Sequence, residues 1–214
     1  MRKNISKLQL SLTTFFVVSL LISNIITAKQ VLLPFGITMT GAVFIFPITY
    51  ILSDLFSEVY GYKWSRFTCY LAFAMNLFMV LVFTAVIKTP APDYWMNQGA
   101  FETVLGSTPK ILFASLLAFV VGDLINDKVF KKFKEKHPND HKGFELRAIL
   151  SSFCGEVVDS AIFLPIAFIG TMPASTLLVM GITQVSIKIA YEIIILPVTK
   201  MIVKKVSKYE SEIA

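Results

Sequence analysis

"ILSSFCGEVVDSAIFLPIAFI", residues 149–169, is an apolar run of membrane-crossing length that carries two carboxylates, Glu156 and Asp159, near its middle. A helix needs about 20 apolar residues to cross roughly 30 Å of hydrocarbon, and an ionisable group at that depth is costly unless it is paired or serves a function. The stretch therefore predicts a membrane protein with a polar site inside it.

The rest of the chain agrees with the first half of that reading. Of 214 residues, 55% are hydrophobic and 16% charged, and a mean hydropathy of +0.69 lies outside the soluble range. Six stretches are long enough to cross, at about 10–28, 40–60, 67–87, 111–129, 149–169 and 177–203. The expected fold is all-α: a polytopic membrane protein with six transmembrane helices in a single domain over residues 1–214. Arg2, Lys3 and Lys7 ahead of the first run also suit a signal peptide. The length of that run, and Ile26 where a small residue would be needed for cleavage, favour helix one.

Charge sets the orientation. Arg2, Lys3 and Lys7, then Lys63 and Arg66, then the basic loop between Lys128 and Arg147, then Lys200, Lys204, Lys205 and Lys208 all fall on one side, against Lys29, Lys88 and Lys110 on the other. By the positive-inside rule both termini are cytoplasmic. The net charge of +6 is thus an orientation signal and no pointer to nucleic acid. The basic loop and the C-terminal "KMIVKKVSKYE" are placed to meet anionic lipid. Tyr94, Trp95 and Phe101, between prolines in the outer loop 88–110, read as an interfacial belt.

No cofactor or metal is expected. Cys69 and Cys154 both lie within spans, without the spacing of a disulfide framework or a metal motif. His137 and His141 stand at helical spacing, but Pro138 interrupts the helix between them.

The intramembrane polar residues carry the functional reading. Glu156 lies about 10 Å and Asp159 about 15 Å along the fifth span from its cytoplasmic end, while Glu192 and Lys188 on the returning sixth span reach about 10 Å and 16 Å. Matched depths predict Lys188 near Asp159, offsetting two burials, and Glu192 near Glu156, where like charges would leave one carboxyl protonated and fit to carry a proton. Asp54 and Glu58, Glu156 and Asp159, Gln184 and Lys188, and Lys188 and Glu192 are three or four residues apart, so each pair shares a helix face. Asn24 and Asn76 are amides deep in spans one and three, which fits interhelical bonding and ligand contact equally. Pro47 and Pro165 are expected to bend spans two and five. Several carboxylates and amides with one base suit a neutral or cationic ligand that donates hydrogen bonds. The rings of Phe44, Phe46, Tyr50, Phe153 and Phe163 suit a planar heterocycle, and a carboxylate can accept two parallel donors from a guanine-like edge.

"GAVFIFPITYILSDLFSEVYGYKWSR" (residues 41–66), "GEVVDSAIFLPIAF" (155–168) and "QVSIKIAYEIIILPV" (184–198) resemble, in that order, blocks of the bacterial queuosine precursor transporter family, within the wider group of vitamin uptake transporters. The resemblance implies import, across the bacterial cytoplasmic (inner) membrane, of a 7-deazaguanine precursor of the tRNA nucleoside queuosine, in its 7-cyano or 7-aminomethyl form. It implies polar site positions at Asp54, Glu58, Glu156, Asp159, Gln184 and Lys188. The wider group also resembles the substrate-binding subunits of energy-coupling factor transporters, which dock partners through Ala-x-x-x-Ala in helix one. Here that helix offers only Ser19 and Ser23, which favours a stand-alone carrier.

The substrate-binding set expected from the sequence is Asn24, Asp54, Asn76, Glu156, Asp159, Gln184, Lys188 and Glu192, with Phe46 and Tyr50. The partners are a nucleobase-like small molecule and membrane lipid, with proton or ion coupling and a homo-oligomer left open. Two other classes stand as alternatives: an integral membrane enzyme using buried carboxylates, for which no metal triad, nucleophile elbow or phosphate loop is present, and a structural assembly subunit.

Overall fold

A computed structural model describes residues 5–136 and 144–212; the loop with His137 and His141 lies outside them. Seven α-helices and one short hairpin make up the described chain: α1 (Lys7–Ile26), β1 (Gln30–Leu33), β2 (Ile37–Thr40), α2 (Phe46–Leu55), α3 (Tyr62–Lys88), α4 (Gln98–Leu105), α5 (Thr108–Lys136), α6 (Phe144–Phe168) and α7 (Ala174–Glu212). The chain is an all-α, multi-span membrane protein.

Among the described residues four helices are long and apolar enough to cross a membrane: Lys7–Ile26, Tyr62–Lys88, Gln98–Gly122 and Ala174–Ile195. The expectation of six is corrected on that count. The stretch expected to cross at 40–60 is broken into short pieces: a 3-10 turn at Gly41–Phe44, the ten-residue α2, and a π-helical turn at Phe56–Tyr60. At 1.5 Å per residue, α2 alone rises about 15 Å, half the hydrocarbon thickness. Pro47 falls in the first turn of α2, where its missing N–H costs nothing, so it opens a helix rather than bending one. The other stretch outside the four is α6, whose 25 residues suffice for length and whose middle carries Glu156 and Asp159.

The chain divides into two compact units. The first comprises Met1–Val31, Thr40–Pro109 and Tyr191–Ala214. Its α1 begins at Ser6, whose hydroxyl accepts the Gln9 backbone N–H at 2.9 Å. Phe16 and Val17 of α1 pack with Leu52 and Leu55 of α2, Phe56 of the π turn and Ala72 of α3, and Ile202, Val203 and Val206 of α7 border this cluster. Phe16 and Phe56 meet edge to face with centroids 5.7 Å apart. With lipid outside as apolar as the core, close packing of this kind is what holds such helices together. Gly61, at φ +83, ends the π turn and starts α3 in a backbone region that other residues enter at a cost. At the end of α1 the Gly41 N–H returns to the Lys29 carbonyl at 2.8 Å, and a side chain on Gly41 would sit 2.5 Å from the Ile26 carbonyl oxygen.

The second unit comprises Leu32–Met39 and Lys110–Ala190, and so contains most of α5, all of α6 and the first part of α7. Here α5 and α6 approach closely at Gly122, where a Cβ would lie 3.0 Å from the Gly155 carbonyl oxygen and 3.3 Å from Asp159 Cβ. α6 and α7 run antiparallel, joined by a turn through Gly170 at φ +82. Pro165 lies inside α6 and removes the N–H that would bond the Ala161 carbonyl.

Candidate functional site

The second unit brings three of the expected residues into direct contact. The Lys188 ammonium on α7 donates to Glu156 Oε2 at 2.5 Å and to Asp159 Oδ2 at 3.0 Å, both on α6. Helical spacing explains the grip: Glu156 and Asp159 are three residues apart and lie on one face, so a single extended lysine reaches both. The lysine is 8% exposed, and the carboxylate side chains are 20% and 26% exposed, so the acids are less enclosed than the lysine that bonds them. Two carboxylates against one ammonium leave the cluster a formal charge of −1. Such a group attracts cations and hydrogen-bond donors and repels anions.

Gln184 lies one turn from Lys188 on the same face of α7. It is 1% exposed, and its Oε1 has no partner among the described residues. Ser160, the next residue after Asp159, is 3% exposed with its Oγ likewise unpartnered among the described residues. A buried polar atom without a bond is costly, so both mark room for something that completes them.

The other expected residues belong to the first unit. Asn24 on α1 donates through Nδ2 to Asn76 Oδ1 on α3 at 2.5 Å, and Asn76 Nδ2 donates to the Ala72 carbonyl at 2.9 Å. Both amides are buried, at 6% and 0% exposure, and they bond each other. Asp54 and Glu58 are exposed on the chain; the π turn carrying Glu58 replaces the regular α spacing between them. Glu192, one turn beyond Lys188 on α7, is exposed. Phe46 and Tyr50 lie in α2, and their side chains lie outside the described residues.

Sequence reasoning missed two features besides Ser160. Gly122 sets the α5–α6 approach beside Asp159, and only its size could have signalled this. Glu210, in the basic C-terminal segment, is 3% exposed and accepts from Ser6 Oγ and from Tyr60 Oη, the latter at 2.9 Å. Its surroundings "KKVSKYESE" look like a solvated helix end, and no periodicity set it apart.

The family described as "Putative vitamin uptake transporter" matches residues 40–202, which span the π turn, the Lys188 cluster and most of α7. This chain belongs to that family. It is therefore a transporter rather than an enzyme, and a multi-pass protein of the bacterial cytoplasmic membrane. It is also 29% identical over 175 residues to a Bacillus subtilis (strain 168) protein named "Probable queuosine precursor transporter", covering 82% of this chain and 76% of that one. No solved structure matches.

Proposed function

We propose that this transporter imports a 7-deazaguanine precursor of queuosine, in its 7-cyano or 7-aminomethyl form, as a stand-alone secondary carrier, with the Glu156–Asp159–Lys188 cluster and Gln184 as its binding site. The observation that carries the reading is Lys188 bonded to both α6 carboxylates, with Gln184 Oε1, which has no partner among the described residues, one turn away. A guanine-like ring presents an N–H and an amino group side by side, and a carboxylate accepts two such parallel donors. Lys188 holds the local charge balance and orients the acids, and Phe163, buried on α6, offers an aromatic face at a neighbouring level. The similarity to the Bacillus subtilis protein supports the substrate class.

Within this reading α2 with its π turn, and α6, add two crossings to the four apolar helices, which makes six, and both termini are cytoplasmic. Asn24 and Asn76 serve as an interhelical bond rather than as ligand contacts. Proton coupling falls to Glu192, and an unchanged pH dependence of uptake in Glu192→Gln removes that role. A stand-alone carrier is favoured over an energy-coupling factor subunit because Ser19 and Ser23, the small residues of α1 at the docking spacing, are buried within the chain at 3% and 4% exposure.

The test is binding of 7-cyano-7-deazaguanine to the purified, detergent-solubilised protein, with guanine and Glu156→Gln alongside. Saturable binding that the variant loses supports the reading. No binding by folded protein overturns the substrate.

A further inference from the structure

Contacts between α6 and α7 fix their register. Glu156 meets Lys188 through the ion pair, and further along, a Cβ on Gly181 would lie 3.3 Å from Leu164 Cδ1. Glu156, Ser160 and Leu164 are spaced by four on α6, and so occupy one stripe along the helix. The ends of the stripe face α7, so Ser160 in the middle faces it too. On α7 the residue midway between the partners at 188 and 181 is Gln184, which shares its face with Lys188. The two helices therefore meet in three successive rungs: charged Glu156 and Lys188, neutral Ser160 and Gln184, apolar Leu164 and Gly181.

The middle rung is incomplete. Ser160 Oγ and Gln184 Oε1 are both buried, and neither has a partner among the described residues. The register inferred from the contacts on either side puts them at one level on facing helices, where one ligand could bond both. The amide oxygen only accepts, whereas the hydroxyl can donate or accept. A ligand that meets both must then present an N–H to Gln184, and a ring carbonyl beside that N–H brings a lone pair to Ser160.

We propose that Ser160 is a specificity-determining residue of this transporter, donating its hydroxyl to a carbonyl oxygen of the ligand while Gln184 Oε1 accepts a ligand N–H. The assignment rests on the carrier function proposed above and deepens it. The charged rung attracts donors of any kind; the neutral rung distinguishes an oxo-substituted ring from one carrying an amino group at the same place. With an amino group there the neighbouring ring nitrogen carries no proton, so its lone pair meets the accept-only Gln184 Oε1, and the ring is not held where the Ser160 hydroxyl would bond it. Sites built around a hydrogen bond reject ligands that lack its partner more sharply than apolar pockets reject a change of size.

Ser160→Ala separates this from a structural role. Because the hydroxyl has no protein partner among the described residues, its removal leaves the thermal stability of the ligand-free protein unchanged or raised. Binding of 7-cyano-7-deazaguanine is expected to weaken about three- to tenfold, the usual worth of one hydrogen bond, while binding of the 6-amino counterpart is unchanged from its weaker wild-type level. Gln184→Leu is expected to weaken the oxo ligand at least as much. Wild-type affinity for the oxo ligand in Ser160→Ala overturns the assignment alone, as does equal weakening of both ligands or a loss of ligand-free stability. Failure of the wild-type protein to bind either ring overturns the assignment together with the substrate class on which it rests.

Discussion

Lys188 Nζ on α7 and Asp159 Oδ2 on α6 are joined at 3.0 Å, in a bond that ties the two helices and shares its ammonium with Glu156. Removing one partner of a buried ion pair strands the other. Lys188→Met is therefore expected to destabilise the protein by about 3–5 kcal/mol, read as a lowered midpoint in detergent-based unfolding. Adding Glu156→Gln and Asp159→Asn to that variant is expected to recover much of the loss, because no charge is then left unpaired. An additive loss would show that the three residues do not act as one unit.

The pairing of Asn24 with Asn76 leads to a different outcome. Asn76→Leu leaves one amide buried without its partner, at a cost of about 1 kcal/mol, near the range measured for hydrogen bonds between membrane helices. The Asn24→Leu, Asn76→Leu double variant is expected to be more stable than either single one, with substrate affinity retained. Lost binding by a stable double variant would move the amides into the site.

Gly122→Ala tests how closely α5 must approach. The new methyl would meet the Gly155 carbonyl oxygen at 3.0 Å and Asp159 Cβ at 3.3 Å, so one helix must shift by a few tenths of an ångström. A shift of the backbone that holds Asp159 is expected to lower substrate affinity more than it lowers the unfolding midpoint. Equal binding and stability in the variant would show that the α5–α6 contact does not position the acid.

Glu210 ties the N-terminal cap residue Ser6 and the π-turn residue Tyr60 to the C-terminal part of α7, all within the first unit. Tyr60→Phe removes one hydroxyl donor from this carboxylate and is expected to cost about 1.5–3 kcal/mol, as for bonds to charged groups. Hydrogen exchange should then quicken in the first turns of α1 and the last turns of α7. Exchange confined to the π turn would show that the three segments are not coupled through Glu210.

Depth arithmetic made the Lys188 cluster legible in the sequence. A helix has a fixed rise, and the sign of the flanking loops sets its direction, so residues such as Asp159 and Lys188 can be levelled before any contact is known. Depth does not supply azimuth about the helix axis. The lysine reaches both acids, whereas matched depths had paired it with one. The same gap hid Ser160, whose face is settled only by Leu164 meeting Gly181 further along. Asn24 and Asn76 read as deep amides with two equal roles, because nothing in a single chain says that two helices cross where both fall. The stretch at 40–60 misled for another reason. Hydropathy sums over residues regardless of backbone conformation, and the 3-10 turn, Pro47 in a first helical turn and the π turn before Gly61 leave its composition unchanged while shortening its helix to ten residues.

The three rungs between α6 and α7 give the segment Glu156–Leu164 a fixed phase. Every residue added to a helix rotates the remainder of that helix by about 100°. One residue inserted between Glu156 and Ser160 would leave the ion pair facing α7 and swing Ser160 and Leu164 away from it. Such a change alters neither composition nor hydropathy in any way a profile would register. The pairing of charge, hydroxyl and apolar contact thus depends on the exact count of residues separating them, and this short piece of α6 can accept substitutions far more readily than it can accept a change of length.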